Sequence, residues 1–167
     1  MNSDELKAMQ APIKERYRVQ PEAAAVTLSA EGRLGEGLSC SVQTGRALVA
    51  AGLHPATGGD GSYACSGDML LQALAACAGV TMRSVATAIG IDVSGVVRAE
   101  GDLDFRGTLG VDKAVPVGFS DIRVSFELQS DASEEDLAAL LRLTERYCVV
   151  LQTLANSPRL TATIAGA

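Results

Sequence analysis

Four cysteines, Cys40, Cys65, Cys77 and Cys148, are the side chains of this sequence most able to do covalent chemistry. Their spacing contains no C-x-x-C and His54 is the only histidine, so a zinc centre would need scattered ligands and no metal is expected. Two readings stay open for the thiols. A cysteine can be a small buried hydrophobe, or it can be redox-active. Redox chemistry needs a cation or hydrogen-bond donor beside the thiolate and a second thiol near enough to condense with a sulfenic acid. Cys77 sits within Leu74-Ala75-Ala76-Cys77-Ala78-Gly79-Val80, where small neighbours suit close packing, and Cys148 within Glu145-Arg146-Tyr147-Cys148-Val149-Val150-Leu151. Spacing alone does not join them.

Cys40 falls on one strand face with Leu38 and Val42 and reads as core, whereas Cys65 follows a Gly-rich loop and competes with Cys148 as a second thiol for Cys77. His54 has no visible partner for a Cys-His-Asp arrangement and is read as structural. Gly58-Gly59-Asp60-Gly61 lacks the lysine and the spacing of a phosphate-binding loop and is read as a connection.

These residues must be held by a fold of modest size. The chain has 167 residues, 47% hydrophobic and 20% charged, which predicts one globular core. A net charge of -6 argues against capture of nucleic acid or an anionic membrane, since both call for a basic face. No stretch reads as a membrane span of about 18 apolar residues, and the N-terminal segment lacks a signal-peptide pattern. A cytoplasmic protein is expected, without a structural disulfide framework.

Residues 1–20 form a polar arm and residues 21–167 a single domain. Ala24 to Ala30 and Leu38 to Val42 alternate as strands around a Gly-rich turn from Glu31 to Gly37, and a third short strand follows Arg46. Ser66 is the expected cap of a long helix ending at Gly90, with Asp68 in its first turn and apolar residues almost all round. Strands are expected over Val93 to Phe105 and Ile122 to Gln129, joined by a loop from Arg106 to Ser120. Ser133-Glu134-Glu135-Asp136 opens a second helix running through Cys148 to Asn156, and Arg159 to Ile164 alternates as a last strand. The class is α+β.

The two cysteine segments, Met69 to Met82 and Glu145 to Leu154, together resemble the OsmC/Ohr family of osmotically induced protein C and organic hydroperoxide resistance proteins. The resemblance runs from about Ala23 to Ile164. It implies an OsmC-like fold, antiparallel sheets around a long central helix in an intertwined homodimer. It implies a peroxidase in which Cys77 is the attacking thiol, Cys148 the resolving thiol and Arg33, in Glu31-Gly32-Arg33-Leu34-Gly35, the arginine beside the thiolate; Arg46 is a weaker competitor. A carboxylate holds that arginine in the family, and Asp68 stands one position after the usual glutamate place, which is Gly67 here. The family's frequent Cys-Pro-Val-Ser reads Cys148-Val149-Val150-Leu151. The implied partners are an organic hydroperoxide and an external dithiol, with a lipoyl-type dithiol as one candidate, and no bound cofactor. The other readings are a non-redox member binding an apolar ligand, and a hot-dog-like acyl-thioester hydrolase.

Overall fold

The structure, a computed structural model, describes residues 2–5, 8, 11–12, 19–20, 32–34, 39–44, 47–110 and 112–165, with backbone only for 32–34, 39–44 and 47–48. The expected first strand over residues 24–30 lies outside the described residues.

Four strands form the first sheet: β1 (Gly32–Leu34), β2 (Ser39–Thr44), β3 (Ala47–Gly52) and β4 (Ala64–Cys65), in that order. β1 to β3 run as an antiparallel meander, and β4 joins β3 in parallel through Ala51 and Gly52. Arg33 therefore lies in a strand, opposite Ser41, and not in the turn the sequence predicted. Between β3 and β4, His54 Nδ1 accepts the Ala56 N–H at 3.1 Å and caps a short 3-10 turn, while its ring stacks on Phe105 at 4.9 Å. Its role among the described residues is structural.

β4 feeds directly into α1 (Ser66–Ile89), a 24-residue helix about 36 Å long. Cys65, not Ser66, is the N-cap, and no side chain caps the end. Asp68 supplies the negative charge of the first turn. Gly90 stops the helix at φ +79°, a conformation that costs glycine nothing, and the Ile91 N–H closes the end by reaching Ala86 O at 2.9 Å.

Long antiparallel strands β5 (Ser94–Leu103) and β6 (Phe119–Gln129) make the second sheet, and a one-turn helix, α2 (Phe105–Thr108), interrupts the expected loop. One face is wet and carries cross-strand pairs of Arg98 with Glu127 and Arg123 with Asp102. The other brings Phe126 and Leu128 towards α1. Gly95 sits at φ +139° with the Glu127 carbonyl where a Cβ would stand, so any side chain there would force the strands apart.

The last helical segment is broken in two. α3 (Glu134–Tyr147) begins at Ser133, whose Oγ accepts the Asp136 N–H at 3.2 Å, as the sequence indicated. It ends at Cys148, and α4 (Val149–Ala155) starts again from the same residue. The expected final strand is not seen among the described residues: 159–164 show no strand pairing there, with Leu160 83% and Ile164 93% exposed.

The core is one stripe of α1 closed by its neighbours. Leu74, Ala78, Met82 and Ala86, spaced four apart, are buried against β5, α3 and α4. Met82, Ala86, Val93 and Leu140 form its centre, flanked by Ile91, Phe126 and Leu137. Among the described residues α1 is not buried all round, since Val80 on the opposite flank is 73% exposed. In length and composition α1 could also cross a membrane, which the sequence reading did not anticipate. In the fold it is a packing helix. Leu140 is 0% exposed at the contact of α3 with this stripe, so Leu140→Ala is expected to destabilise the fold by about 2–5 kcal/mol, measured by denaturant unfolding.

Candidate functional site

The site is made by the break between α3 and α4. At Cys148 the backbone leaves the helical region for φ -73°, ψ 108°. The Cys148 N–H still closes α3 on Thr144 O at 2.9 Å, and its carbonyl already opens α4 by accepting the Gln152 N–H at 2.9 Å. A new helix start leaves its first N–H groups without intrahelical partners. Here those groups belong to Val149, Val150 and Leu151, and they converge on two sulfurs.

Cys77 is half-buried on α1, one turn past Leu74, and Cys148 is fully buried opposite it. Burial by itself pushes the Cys77 thiol up, but the Val150 N–H, the Cys148 thiol, the Val149 N–H and the Thr81 hydroxyl all donate to its sulfur. The donors win, and Cys77 ionises below the ordinary thiol value of 9.0. Cys148 moves the other way. Burial raises it, and the hydrogen bond to Cys77 and the charge there raise it further, against opposing donations from the Leu151 and Val150 N–H groups. The pair therefore titrates as one thiolate, on Cys77, and one retained proton, on Cys148.

The remaining candidates fall at different distances. Cys65 caps the helix on which Cys77 lies twelve residues later, which separates their Cα atoms by about 18 Å along a rigid axis, whereas a disulfide requires less than about 7 Å. Cys65 is thus removed as a second thiol for Cys77 within one chain. Asp68 is exposed and precedes Cys77 by about 14 Å along the same axis, so it makes no contact with the sulfur. The Arg33 side chain, Arg46 and the side chain of Cys40 lie outside what is described. Among the described residues no cluster of three or more His, Cys, Asp or Glu side chains could hold a metal.

Beside the thiol pair is a cleft of about 650 Å³, with Leu70, Leu74, Ile122, Val124, Leu151 and Leu154 among its walls. Leu74 and Leu151 link it to the sulfurs, one turn before Cys77 and at a donor to Cys148. Asp121 and Glu145 also line it. Sequence reasoning found both thiols but missed their donors. Main-chain N–H groups have no letter of their own, and Thr81 was visible only as one more residue on the apolar stripe.

A family model described as OsmC-like protein matches residues 59–163, which include both thiols and Asp68 but not Arg33. Among solved structures, the chain is similar to an OsmC-like protein from Mycoplasma pneumoniae, at 20% identity and a TM-score of 0.66, over 79% of this chain and 89% of that one. It is similar to an organic hydroperoxide resistance protein OsmC from Legionella pneumophila, at 19% identity and a TM-score of 0.57, over 80% and 92%. The organic hydroperoxide resistance protein OhrB of Bacillus subtilis matches at 18% identity and a TM-score of 0.52, over 79% and 93%. At these identities the likeness is one of fold. No match is found among curated proteins.

The opposed titration of the two thiols is directly measurable. A neutral alkylating reagent at about pH 8 is expected to label Cys77 first and Cys148 last, because the thiolate is the reactive form. Labelling of Cys77 should rise with pH around a midpoint below 9.0. Cys148→Ala, which deletes a donor, should move that rise to higher pH, and Cys148→Ser, which keeps a hydroxyl, should move it less. Coincident pH profiles for all three proteins would show that the Cys148 contact does not act on Cys77.

Proposed function

This chain belongs to the OsmC family, and from that premise we propose that it is a thiol-dependent peroxidase reducing organic hydroperoxides to alcohols. The observation that carries the reading is a lowered thiol, Cys77, held by a second thiol that keeps its own proton.

The chemistry follows from that arrangement. The Cys77 thiolate attacks the terminal oxygen of the hydroperoxide; the S–O bond forms, the O–O bond breaks, and sulfur is oxidised by two electrons to a sulfenic acid. The departing alkoxide needs one proton to become alcohol. The Cys148 thiol is the proton donor already facing Cys77. Once Cys77 has lost its charge, the repulsion that holds Cys148 protonated is gone, and Cys148 becomes the better nucleophile at the moment one is needed. Its thiolate attacks the sulfenic sulfur, forms the disulfide and releases hydroxide. An external dithiol, with a lipoyl-type group as one chemical class that fits, takes the disulfide by exchange and is itself oxidised. The cycle requires no bound cofactor.

Arg33 is assigned the family arginine's part, a fixed cation favouring the thiolate and the alkoxide, with Asp68 acting on it and not on sulfur. The apolar walls of the neighbouring cleft suit a hydrophobic peroxide tail. The exposed flank of α1 is the surface that a second copy would cover in an intertwined homodimer, and a cytoplasmic site of action fits thiols that must be re-reduced. The same cleft supports one other reading, a non-redox member that binds an apolar molecule. The hot-dog hydrolase reading loses its architectural ground, since the fold matches OsmC-like structures.

Reduced protein treated with one equivalent of an organic hydroperoxide, blocked and mapped by mass spectrometry, is expected to show a Cys77 to Cys148 disulfide. Untouched thiols would leave the non-redox reading in place. Cys148→Ser should trap Cys77 as sulfenic acid. Arg33→Ala should slow peroxide consumption by about 10²-fold, the scale of losing one charge-stabilising donor, and unchanged kinetics would remove Arg33 from the site.

A further inference from the structure

We propose that Gln152 is a positioning residue of the thiol site: its side-chain amide takes the Glu145 carbonyl across the break between α3 and α4, and so keeps the two helices from closing into one. The inference deepens the peroxidase reading and rests on it for the effect on turnover; the effect on the backbone at Cys148 does not depend on it.

The first support is a carbonyl that has lost its helical partner. In an unbroken helix the Val149 N–H would donate to Glu145 O, four residues back. Cys148 instead holds ψ at 108°, about 150° from the helical value, which turns the peptide carrying the Val149 N–H off the helix axis. Cys148 N–H to Thr144 O and Gln152 N–H to Cys148 O are formed on either side, both at 2.9 Å, and among the described residues no backbone bond joins the Val149 N–H to Glu145 O. Gln152 Nε2 fills that gap, donating to Glu145 O at 2.8 Å.

The second support is that this bond belongs to the broken form alone. Seven residues of continuous helix span about 10.5 Å of axis, and the Glu145 carbonyl would already be occupied by Val149. A bond made in one of two backbone arrangements stabilises that arrangement. The amide is also held in the orientation the bond requires. Asn156 Nδ2 donates to Gln152 Oε1 at 3.2 Å and to Gln152 O at 3.3 Å, which leaves the Gln152 nitrogen facing Glu145.

The third support is location. Gln152 lines a surface groove with Tyr147, Val149 and Asn156 that shares no residue with the cleft beside the thiols. It acts on the site through the backbone and not by touching sulfur or substrate. Holding Glu145 O keeps that acceptor from recapturing the Val149 N–H, one of the groups that serve the Cys77 sulfur.

The test compares wild type with Gln152→Met, which keeps the length and helix propensity of the side chain without its donor. The Cα chemical shift of Cys148, read by NMR, reports whether its backbone is extended or helical, and the pH profile of Cys77 alkylation is read by mass spectrometry. Cys148, the titratable group facing Cys77 among the described residues, is kept in every variant. Gln152→Met is expected to move the Cys148 shift towards the helical value, to raise the alkylation midpoint by about half a pH unit and to slow labelling below the midpoint about threefold. Peroxide consumption should fall in step at neutral pH. Val149→Pro places proline at the first position of α4 and bars Cys148 from the helical region, so it holds the break without help. Adding Gln152→Met to it should leave the shift and the midpoint where Val149→Pro alone puts them. An unmoved Cys148 shift or an unmoved Cys77 midpoint in a folded Gln152→Met protein overturns the inference, and so does an undiminished effect of Gln152→Met in the Val149→Pro background. Wild-type protein that consumes no hydroperoxide, with shift and midpoint still displaced by Gln152→Met, overturns the peroxidase reading and leaves the role of Gln152 at the break standing.

Discussion

Unspent main-chain N–H groups at the start of α4 are the interaction on which the rest of the site depends. A helix that ran unbroken from Glu134 to Ala155 would consume them internally and offer sulfur nothing. The extended backbone at Cys148 ends one helix and begins another within a single residue, and so turns two N–H groups towards Cys77. Everything else positions that junction. The buried stripe of α1 holds Cys77 at fixed height, and Leu140 and Thr144, buried on α3, seat that helix against it just before the break at Cys148.

The two cysteines are chemically identical residues made unequal by what surrounds them. Both pay a burial penalty on ionising. Cys77 receives four donors that outweigh it, whereas Cys148 spends its own proton on its neighbour and faces that neighbour's charge. Polarity of the pair is thus a local electrostatic outcome. It gives the pair a direction before any oxidant arrives.

Much of this was legible in the sequence. Alternation located β2, β5 and β6, four-residue spacing located α1, and Ser133 and Gly90 marked helix ends where the chain does begin and stop. What was not legible shares one cause. Tyr147 to Leu151 reads as uninterrupted apolar helix, because the break falls at the buried Cys148 and carries no glycine or proline to announce it. Residues 159–164 alternate as a strand does, yet strand pairing needs an edge as well as a pattern, and among the described residues none pairs with them. The α1 sequence is apolar almost all round, and composition reports how apolar a helix is and not whether its own chain or a second copy supplies the cover. At the site, the thiols were legible as letters and their donors were not.

Val149 occupies the place where the resembled family often has proline, a residue with no N–H to give. In this chain that position donates to Cys77 through its main chain. Nineteen of the twenty amino acids would present the same group there, so the donation is inherited through the shape of the backbone and leaves no mark in the alphabet of side chains. Chains that share this architecture at one residue in five can therefore keep, gain or lose a ligand to sulfur at position 149 while appearing, residue for residue, simply to have drifted.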